Sequence, residues 1–508
     1  MFNELIANRD FPLYRKSFIL GILACLISVQ TFAAFFEYTP KLKEAQVHIA
    51  CLRLKKANQI LAVEFLKQPD NVAVVYLKHY SRFFHIMVQQ DKLLLPEFEK
   101  VNSEMLLSLQ KLPNESPYKL FLKGSVHLQS ALVKGAFNEY LSAAWDFRSA
   151  YQEVNANEKK FPNFNGHKKE LGALMALIGS FPPQYQWVVN VAGLNGDFKN
   201  GLKVLEEYIS LGSLEPILEQ QQASVIYTLI QLNFGADKNK AWNFYAPISK
   251  DYKNNLMQCY VRAYVAGKCG ENEIALATLK GRPLGLDYEN ITYFNLLMGD
   301  YLLHQLDGEA AIWYKKYIAF STTKGATKDA YQKLSWISWL ENDTTKFIIY
   351  HDLMAKNTKD AGSELKLLNE DLKNGIYPSK ELLKARILFD GGYYDESLAV
   401  LSKLNKDKLP CKYQKIEWDY RMARVLQEQK HLTESLNYFK KCLEGGMAVN
   451  TYLIPNSCLQ IGLIYEQLNY PLIAKSYYER VSNYHHVDYE SSMAQKAKTN
   501  IWRINKSK

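Results

Sequence analysis

Apolar side chains recur along this chain at helical intervals, and in the second half they fall into a stricter pattern. A compact residue is followed twelve positions later by another, and four positions beyond that by an aromatic residue or leucine. The sets are Ala263/Ala275/Leu279, Met298/Ala310/Tyr314, Ala385/Ser397/Leu401, Ala423/Ser435/Phe439 and Gly462/Ala474/Tyr478. Twelve residues carry a chain through the end of one helix, a tight turn and the start of the next. Each set therefore predicts two antiparallel helices approaching closely at the small residues, with the large side chain filling the space beside them. No strand alternation competes with this periodicity, so the expected fold class is all-α, an α-solenoid of stacked antiparallel helical hairpins.

The distances between sets support an array. Ala263 to Met298 is 35 residues, Ala385 to Ala423 is 38 and Ala423 to Gly462 is 39, while Met298 to Ala385 is 87. The long gap leaves room for one irregular hairpin, with helices over Asp329–Leu340 and Thr345–Met354, and Thr358 to Gly375 reads as a loop-like flex point. Turns are predicted at Gly196-Asp197-Phe198, Gly270-Glu271-Asn272 and Gly391-Gly392-Tyr393-Tyr394, where glycine supplies the left-handed residue that ends a helix before a reversal. In the first half, Leu42 to Phe65 and Val72 to Gln89 read as two helices of a terminal hairpin separated by Gln68-Pro69-Asp70-Asn71. Ser116-Pro117 is a helix start with serine as cap, Ala143, Phe147 and Ala150 repeat the close-packing pattern, and Phe161 to Gly166 is a loop.

A helical hairpin of this period resembles the tetratricopeptide repeat, whose nominal length is about 34 residues. Cys458 to Tyr465, with Ala474 and Tyr477-Tyr478, carries the family's Leu, Gly, Tyr, Ala and aromatic elements, and Tyr420 to Leu426 with Ser435 and Phe439 is the next best segment. The resemblance covers Ala263 to Val481 and is diffuse from Lys41 to Ala246; repeats longer than nominal make these irregular members. It implies a non-enzymatic protein-interaction scaffold that holds an extended peptide or protein segment in a concave groove lined by the first helix of each hairpin. The groove positions it implies are Tyr260, Tyr264, Lys268, Asn295, Arg386, Phe389, Tyr420, Arg424 and Gln427, with Gly299 and Leu463 equivalent to Arg386 and Arg424. Two guanidiniums in adjacent repeats could grip one carboxylate or phosphate. The pattern departs from the family's best-known carboxylate clamp, which wants Lys and Asn where this chain has Leu382, Tyr420 and Arg386, so a chaperone-tail receptor is not expected.

The amino terminus changes the picture of where such a scaffold works. Ser17 to Phe36 is an uncharged apolar run of twenty residues after Arg15-Lys16. Thr31-Phe32-Ala33 ends it as a signal peptide cut after Ala33 would require, and the run is also long enough to serve as a retained anchor. The resulting organisation is 1–33 signal peptide or uncleaved anchor, 34–250 degenerate N-terminal hairpins, 251–483 the repeat array, and 484–508 a capping helix and basic tail. With the Tyr-rich array, these features resemble exported tetratricopeptide proteins of Bacteroidota-type bacteria and imply a periplasmic or outer-membrane-associated place, with a protein partner in an envelope complex. Ile22-Leu23-Ala24-Cys25 loosely resembles a lipoprotein box, which opens the alternative of an outer-membrane glycan-capturing lipoprotein on a related helical fold.

The 508 residues are 48% hydrophobic and 22% charged, an ordinary globular composition, and aromatics reach 13% with 34 tyrosines. The net charge of +10 is scattered rather than clustered, so no nucleic-acid partner is expected. Of seven cysteines six follow the amino-terminal segment, and Cys442 and Cys458, at the end of one hairpin and the start of the next, are left open between free thiols and a disulfide. No phosphate loop, His-Glu-x-x-His, Gly-x-Ser-x-Gly or Cys-x-x-Cys is present, so neither catalytic residues nor a cofactor is expected. His485-His486-Val487-Asp488 lacks zinc-site spacing, and no metal is expected there.

Overall fold

The computed structural model describes residues 34–180, 194, 196–212, 217–235, 237–321, 327–357, 363–446, 449–485 and 487–506. Residues 1–33, expected from the sequence to be a signal peptide or anchor and including Cys25, lie outside them. The described residues form 24 α-helices, numbered in chain order. The first half holds α1 (Pro40–Ala50), α2 (Leu54–Lys67), α3 (Val72–Gln89), α4 (Leu95–Gln110), α5 (Pro117–Ala136), α6 (Tyr140–Lys160), α7 (Lys168–Gly179), α8 (Phe198–Ser210), α9 (Ile217–Phe234) and α10 (Asn239–Tyr245). The second begins with α11 (Leu256–Lys268), α12 (Asn272–Lys280), α13 (Tyr293–His304), α14 (Ala310–Phe320), α15 (Lys328–Leu340), α16 (Thr344–Lys356) and α17 (Ser363–Lys373). It ends with α18 (Lys380–Asp390), α19 (Tyr394–Lys403), α20 (Lys412–Glu428), α21 (Leu432–Gly446), α22 (Leu453–Gln467), α23 (Pro471–Val481) and α24 (Glu490–Lys506). Consecutive helices pack in antiparallel pairs from α1/α2 to α15/α16, then α18/α19, α20/α21 and α22/α23, and α24 packs on the last pair. The described residues form an all-α solenoid of stacked helical hairpins.

The spacing that predicts the hairpins is realised in their cores. Ala263, Ala275, Leu279, Ala385, Leu401, Ala423, Phe439, Ala474 and Tyr478 are fully buried. Where the second small residue is serine, its hydroxyl donates to the carbonyl twelve residues back, Ser397 to Ala385 at 2.8 Å and Ser435 to Ala423 at 2.7 Å. One set shifts by a residue. In α13/α14 the close approach is made by Gly299, where an added Cβ would lie 2.7 Å from the Tyr314 ring, with Met298 buried beside it. Gly299 is thus packed inside the hairpin and does not line a groove.

Eight hairpins reverse direction through one residue of positive φ, at Leu52, Asn138, Gly270, Leu306, Asn342, Gly392, Lys430 and Asn469. In each, the next amide donates to the carbonyl five residues before it, as Glu271 does to Ala266 at 2.9 Å and His431 to Leu426 at 2.9 Å. This closes the orphan carbonyls of the first helix. Leu52 corrects the expectation of a single helix over Leu42 to Phe65: the chain reverses there, so α1 and α2 form the first hairpin and Val72–Gln89 opens the second. Likewise Ser363–Lys373 is a helix, α17, where a flex point was expected, while 358–362 lie outside the described residues.

The stack winds tightly enough for distant hairpins to touch. Glu289, between α12 and α13, donates its amide to the Leu52 carbonyl at 2.9 Å and accepts from Gln89 at 2.9 Å, and Arg53 lies over the Tyr288 ring at 4.7 Å. Further on, the α18/α19 turn meets the α11/α12 turn: a Cβ on Gly392 would lie 2.2 Å from the Gly270 carbonyl oxygen, and the Tyr393 hydroxyl donates to Glu273 at 2.7 Å. Helix α18 accordingly touches both α13 and α15.

This packing can be probed at two places. Gly392 and Gly375 both have positive φ, at 85° and 72°, but nothing lies within 4 Å of a Cβ added to Gly375. Gly375→Ala is expected to cost about 1–2 kcal/mol of backbone strain and Gly392→Ala about 1–3 kcal/mol more from the clash, read from urea midpoints; equal costs would show that the two turns do not meet. His79 is fully buried, and burial pulls its pKa down from 6.5 to about 4, with the Asn102 Oδ1 accepting from its Nε2 at 3.0 Å. Between those values the unfolded chain binds the proton and the native chain does not, so stability is lost as pH falls. The loss attributable to this residue is about 3 kcal/mol across pH 6.5 to 4, and it is expected to disappear from the pH profile of His79→Gln.

Candidate functional site

A solenoid of this kind offers its inner face as the place where side chains from several hairpins converge. In the first half that face is filled from within. Lys169 and Glu170, on α7, are both 4% exposed. The Lys169 ammonium lies 3.1 Å from Glu170, donates to Gln222 at 3.1 Å and to Glu219 of α9. Gln46 of α1 donates to Glu219 at 3.1 Å, and Ser125 of α5 donates to Glu170 at 2.6 Å. Tyr38, Tyr76 and Tyr80 surround the cluster, their hydroxyls pushed well above the usual range by burial. Burial opposes the Lys169 charge, yet Glu170 and Glu219 outweigh it and raise its pKa, while burial raises Glu170. Four helices, α1, α5, α7 and α9, thus meet on one buried ion cluster.

The second half keeps charged and aromatic groups on the inner face. On α11 the half-buried rings of Tyr260 and Tyr264 lie parallel at 6.1 Å, and the exposed Lys268 has its ammonium 5.6 Å from the Tyr264 ring. Asn295 on α13 is half-buried. On α18 and α20 each predicted arginine lies on a ring of the preceding first helix: Arg386 over Trp336 at 4.7 Å, and Arg424 over Phe389 at 4.9 Å. Lys333 adds a second cation over Trp336 at 3.9 Å. Its ammonium and the Asp300 carboxyl of α13 join the two groups; burial depresses the Lys333 pKa and raises that of Asp300, each partly offset by the other.

Two of the predicted residues take a different part. Tyr420 is 3% exposed, its ring set edge-on to Phe439 at 6.1 Å and Tyr452 at 6.2 Å. Aromatic volume is needed there to fill the hairpin core, so it does not form the surface; its hydroxyl accepts from Arg424 at 3.3 Å and sets that guanidinium. Gln427 is also buried and donates to Gln460 of α22 at 3.1 Å. Leu463 is half-buried. Trp336, Lys333 and Asp300 were not among the expected groove residues. Their signal is present: Ser335/Phe347/His351 keeps the spacing of twelve and four with phenylalanine at a small position, and Trp336 follows Ser335 as Arg386 follows Ala385.

Beside Trp336 and Arg386 lies a cavity of about 170 Å3, walled by α15, α16, α17, α18 and the start of α20, with Asp488 and Tyr489 closing its end. The Ser363 hydroxyl donates to the Asp488 carboxylate at 3.0 Å and accepts from the Asp488 amide at 3.1 Å, tying α17 to the segment before α24. Among the described residues no group of three or more His, Cys, Asp and Glu could hold a metal ion; His485 contacts Glu490 at 3.2 Å, and His486 lies outside the described residues. Cys442 and Cys458 are free and buried; burial pushes their thiols up to about 12 and about 11, which keeps them protonated at neutral pH.

No family model matches the chain, and no curated protein matches it. Similar solved structures include a Rap protein complexed with competence and sporulation factor, 11% identical over 80% of this chain and 96% of that one, with a TM-score of 0.30. An IFIT1 monomeric mutant with Gppp-AAAA is 11% identical over 72% and 95%, with a TM-score of 0.30. Yeast Tom70 is 13% identical over 91% and 88%, with a TM-score of 0.23. Nothing about this chain's ligand follows from those three proteins.

The ion cluster yields its own prediction. Lys169→Met leaves the buried Glu170 and the half-buried Glu219 without their cation and is expected to lower stability by about 3–5 kcal/mol in urea unfolding. A change of only a few tenths would place the cluster in contact with water.

Proposed function

We propose that this chain is a non-enzymatic scaffold that binds an acidic, extended protein or peptide segment along the inner face of its second half. The observation that carries the reading is the run of Lys333, Arg386 and Arg424 over Trp336 and Phe389 on successive first helices. A guanidinium held over a ring is already positioned and loses less freedom when its N–H groups meet a carboxylate. Side chains presented by rigid helices spare the binding step part of its ordering cost. The half-buried Tyr260 and Tyr264, with Lys268, would extend the surface toward α11.

The place of action proposed is the cell envelope, after export and cleavage behind Ala33, with residues 34–250 as a closed support, 251–483 as the working array and 484–508 as its cap. The first residues behind the cut support it. Ala34 is buried, Phe35 pairs with Asn71 in an isolated bridge, and Phe36 stacks on Tyr118 at 4.3 Å, so a chain starting at Ala34 would begin on the folded body. No helix among the described residues is long and apolar enough to cross a membrane. The resemblance to exported proteins of Bacteroidota-type bacteria fits this placement.

The test is selection from a random peptide library with the 34–508 chain, followed by titration of the enriched peptides. Enrichment of Asp and Glu is expected, with affinity falling as salt rises and weakening roughly tenfold or more in Arg386→Gln/Arg424→Gln. Peptides without charge preference, bound equally by the double variant, would contradict the assignment.

A further inference from the structure

The turn of the last hairpin, between α22 and α23, departs from the pattern of the other turns in the second half. Three and four positions past the left-handed residue, those turns carry Glu273/Ile274, Glu309/Ala310, Thr345/Lys346, Asp395/Glu396 and Thr433/Glu434, so every pair holds a charged residue. Past Asn469 the pair is Leu472/Ile473, preceded by Tyr470 and Pro471, and the first turn of α23 has no acidic residue. An acidic side chain there would favour the helix start. The apolar ones gain little from folding, because Leu472 stays 64% exposed, Tyr470 55%, Ile473 42% and Leu468, just past α22, 39%. A contiguous exposed apolar patch of this kind marks a contact surface.

Helix α24 extends the patch and adds charge. Met493, Ala497, Asn500 and Ile504 form its buried face, and helical spacing puts Trp502, 40% exposed, on the opposite side. The Lys475 ammonium of α23 donates to Asn505 of α24 at 3.3 Å. Leu472 and Trp502 each stand one turn from that bond, so the turn and the outer face of α24 form one surface. Lys498, which is exposed, and Lys506 occupy the helix positions one turn before and one turn after Trp502. From Ser491 to Lys508 the chain carries Lys496, Lys498, Arg503, Lys506 and Lys508 and no acidic residue. Arg503 is held by Glu466 at 2.8 Å and Lys475 lies 3.9 Å from Glu479, while Lys496 and Lys498 are exposed.

We infer that this end of the solenoid docks on an anionic lipid surface, with Tyr470, Leu472, Ile473 and Trp502 entering the headgroup boundary and the lysines of α24 meeting lipid phosphates. Charge complementarity and side-chain type both point there. Trp and Tyr join an apolar body to a polar tip, as a membrane interface requires, and apolar side chains beside a cluster of lysines combine the two attractions that hold a peripheral protein on anionic lipid. An apolar turn that stands out from the body suits insertion into a fluid layer. This docking does not depend on the groove reading, since it uses the far end of the array and none of the groove residues.

The test is co-sedimentation of the 34–508 chain, which holds every described residue and omits most of the apolar run 17–36, with vesicles of phosphatidylcholine and phosphatidylglycerol in equal parts or of phosphatidylcholine alone. Binding to the mixed vesicles is expected to be about tenfold tighter or more, and to weaken as salt rises. Lys498→Gln/Lys506→Gln is expected to weaken it about tenfold, and Leu472→Ser/Ile473→Ser, at exposed positions, about tenfold as well, with helicity and urea midpoints close to those of the parent. Lys55→Gln/Lys56→Gln removes the same charge from exposed positions on α2 and is expected to bind as the parent does. Equal losses in the two lysine pairs would show adsorption by net charge alone and overturn the site. No binding to the mixed vesicles, or binding unchanged in Leu472→Ser/Ile473→Ser, would overturn it too. Sedimentation velocity without lipid is expected to show a monomer; a dimer that dissociates in Leu472→Ser/Ile473→Ser would assign the patch to a second copy of this chain and overturn the lipid assignment.

Discussion

Close approach of paired helices at a small residue, followed seven positions later by one left-handed residue, is the constraint on which the molecule depends. Ala45 precedes Leu52, Ala131 precedes Asn138, Ala263 precedes Gly270, Gly299 precedes Leu306, and the same interval holds for Ser335, Ala385, Ala423 and Gly462. The interval is fixed by geometry: two turns of helix separate the contact point from the reversal, and the amide after the reversal closes the helix end. A larger side chain at the contact would force the helices apart, and with them the stacking surface offered to the next hairpin. Six of these reversals use Leu, Asn or Lys rather than glycine, so the turn tolerates a strained residue because the packed hairpin and its closing hydrogen bonds determine it.

Winding follows from stacking, and it divides the chain into two kinds of interior. In the first half, α1, α5, α7 and α9 meet on Lys169, Glu170 and Glu219. Where α15, α16 and α17 intervene between α13 and α18, the inner face stays open enough for cations to lie over rings and for a cavity to remain. Extra length between Met298 and Ala385 thus accommodates α15, α16 and α17, the helices that wall the cavity.

Much of this was legible in the sequence. The spacing of twelve and four located five hairpins, and four of the five small-residue positions are the contact points found. The same spacing also marks Ala45/Ala57/Leu61 and Ala131/Ala143/Phe147, whose alanines and Leu61 are buried in the first half; polar surroundings and the absence of glycine at Leu52 and Asn138 hid those turns. Arg386 and Arg424 could be placed on equivalent steps because register survives from repeat to repeat. Tyr420 could not be told from a surface tyrosine, since a residue one turn before the contact can point to either the core or the groove depending on the tilt of its hairpin. The Lys169 cluster, Trp336 as the platform for Arg386, and the cavity under α17 join residues dozens to more than a hundred positions apart, and no local pattern encodes such contacts.

Hydrogen exchange by mass spectrometry, on the 34–508 chain with and without a selected acidic peptide, tests most directly the claim that the second half's inner face is the working surface. The account predicts new protection on α15, α17, α18 and α20, with α1 to α9 unchanged because the buried ion cluster already closes them. Protection confined to α1 to α9, or to the second helices α19, α21 and α23, would contradict it.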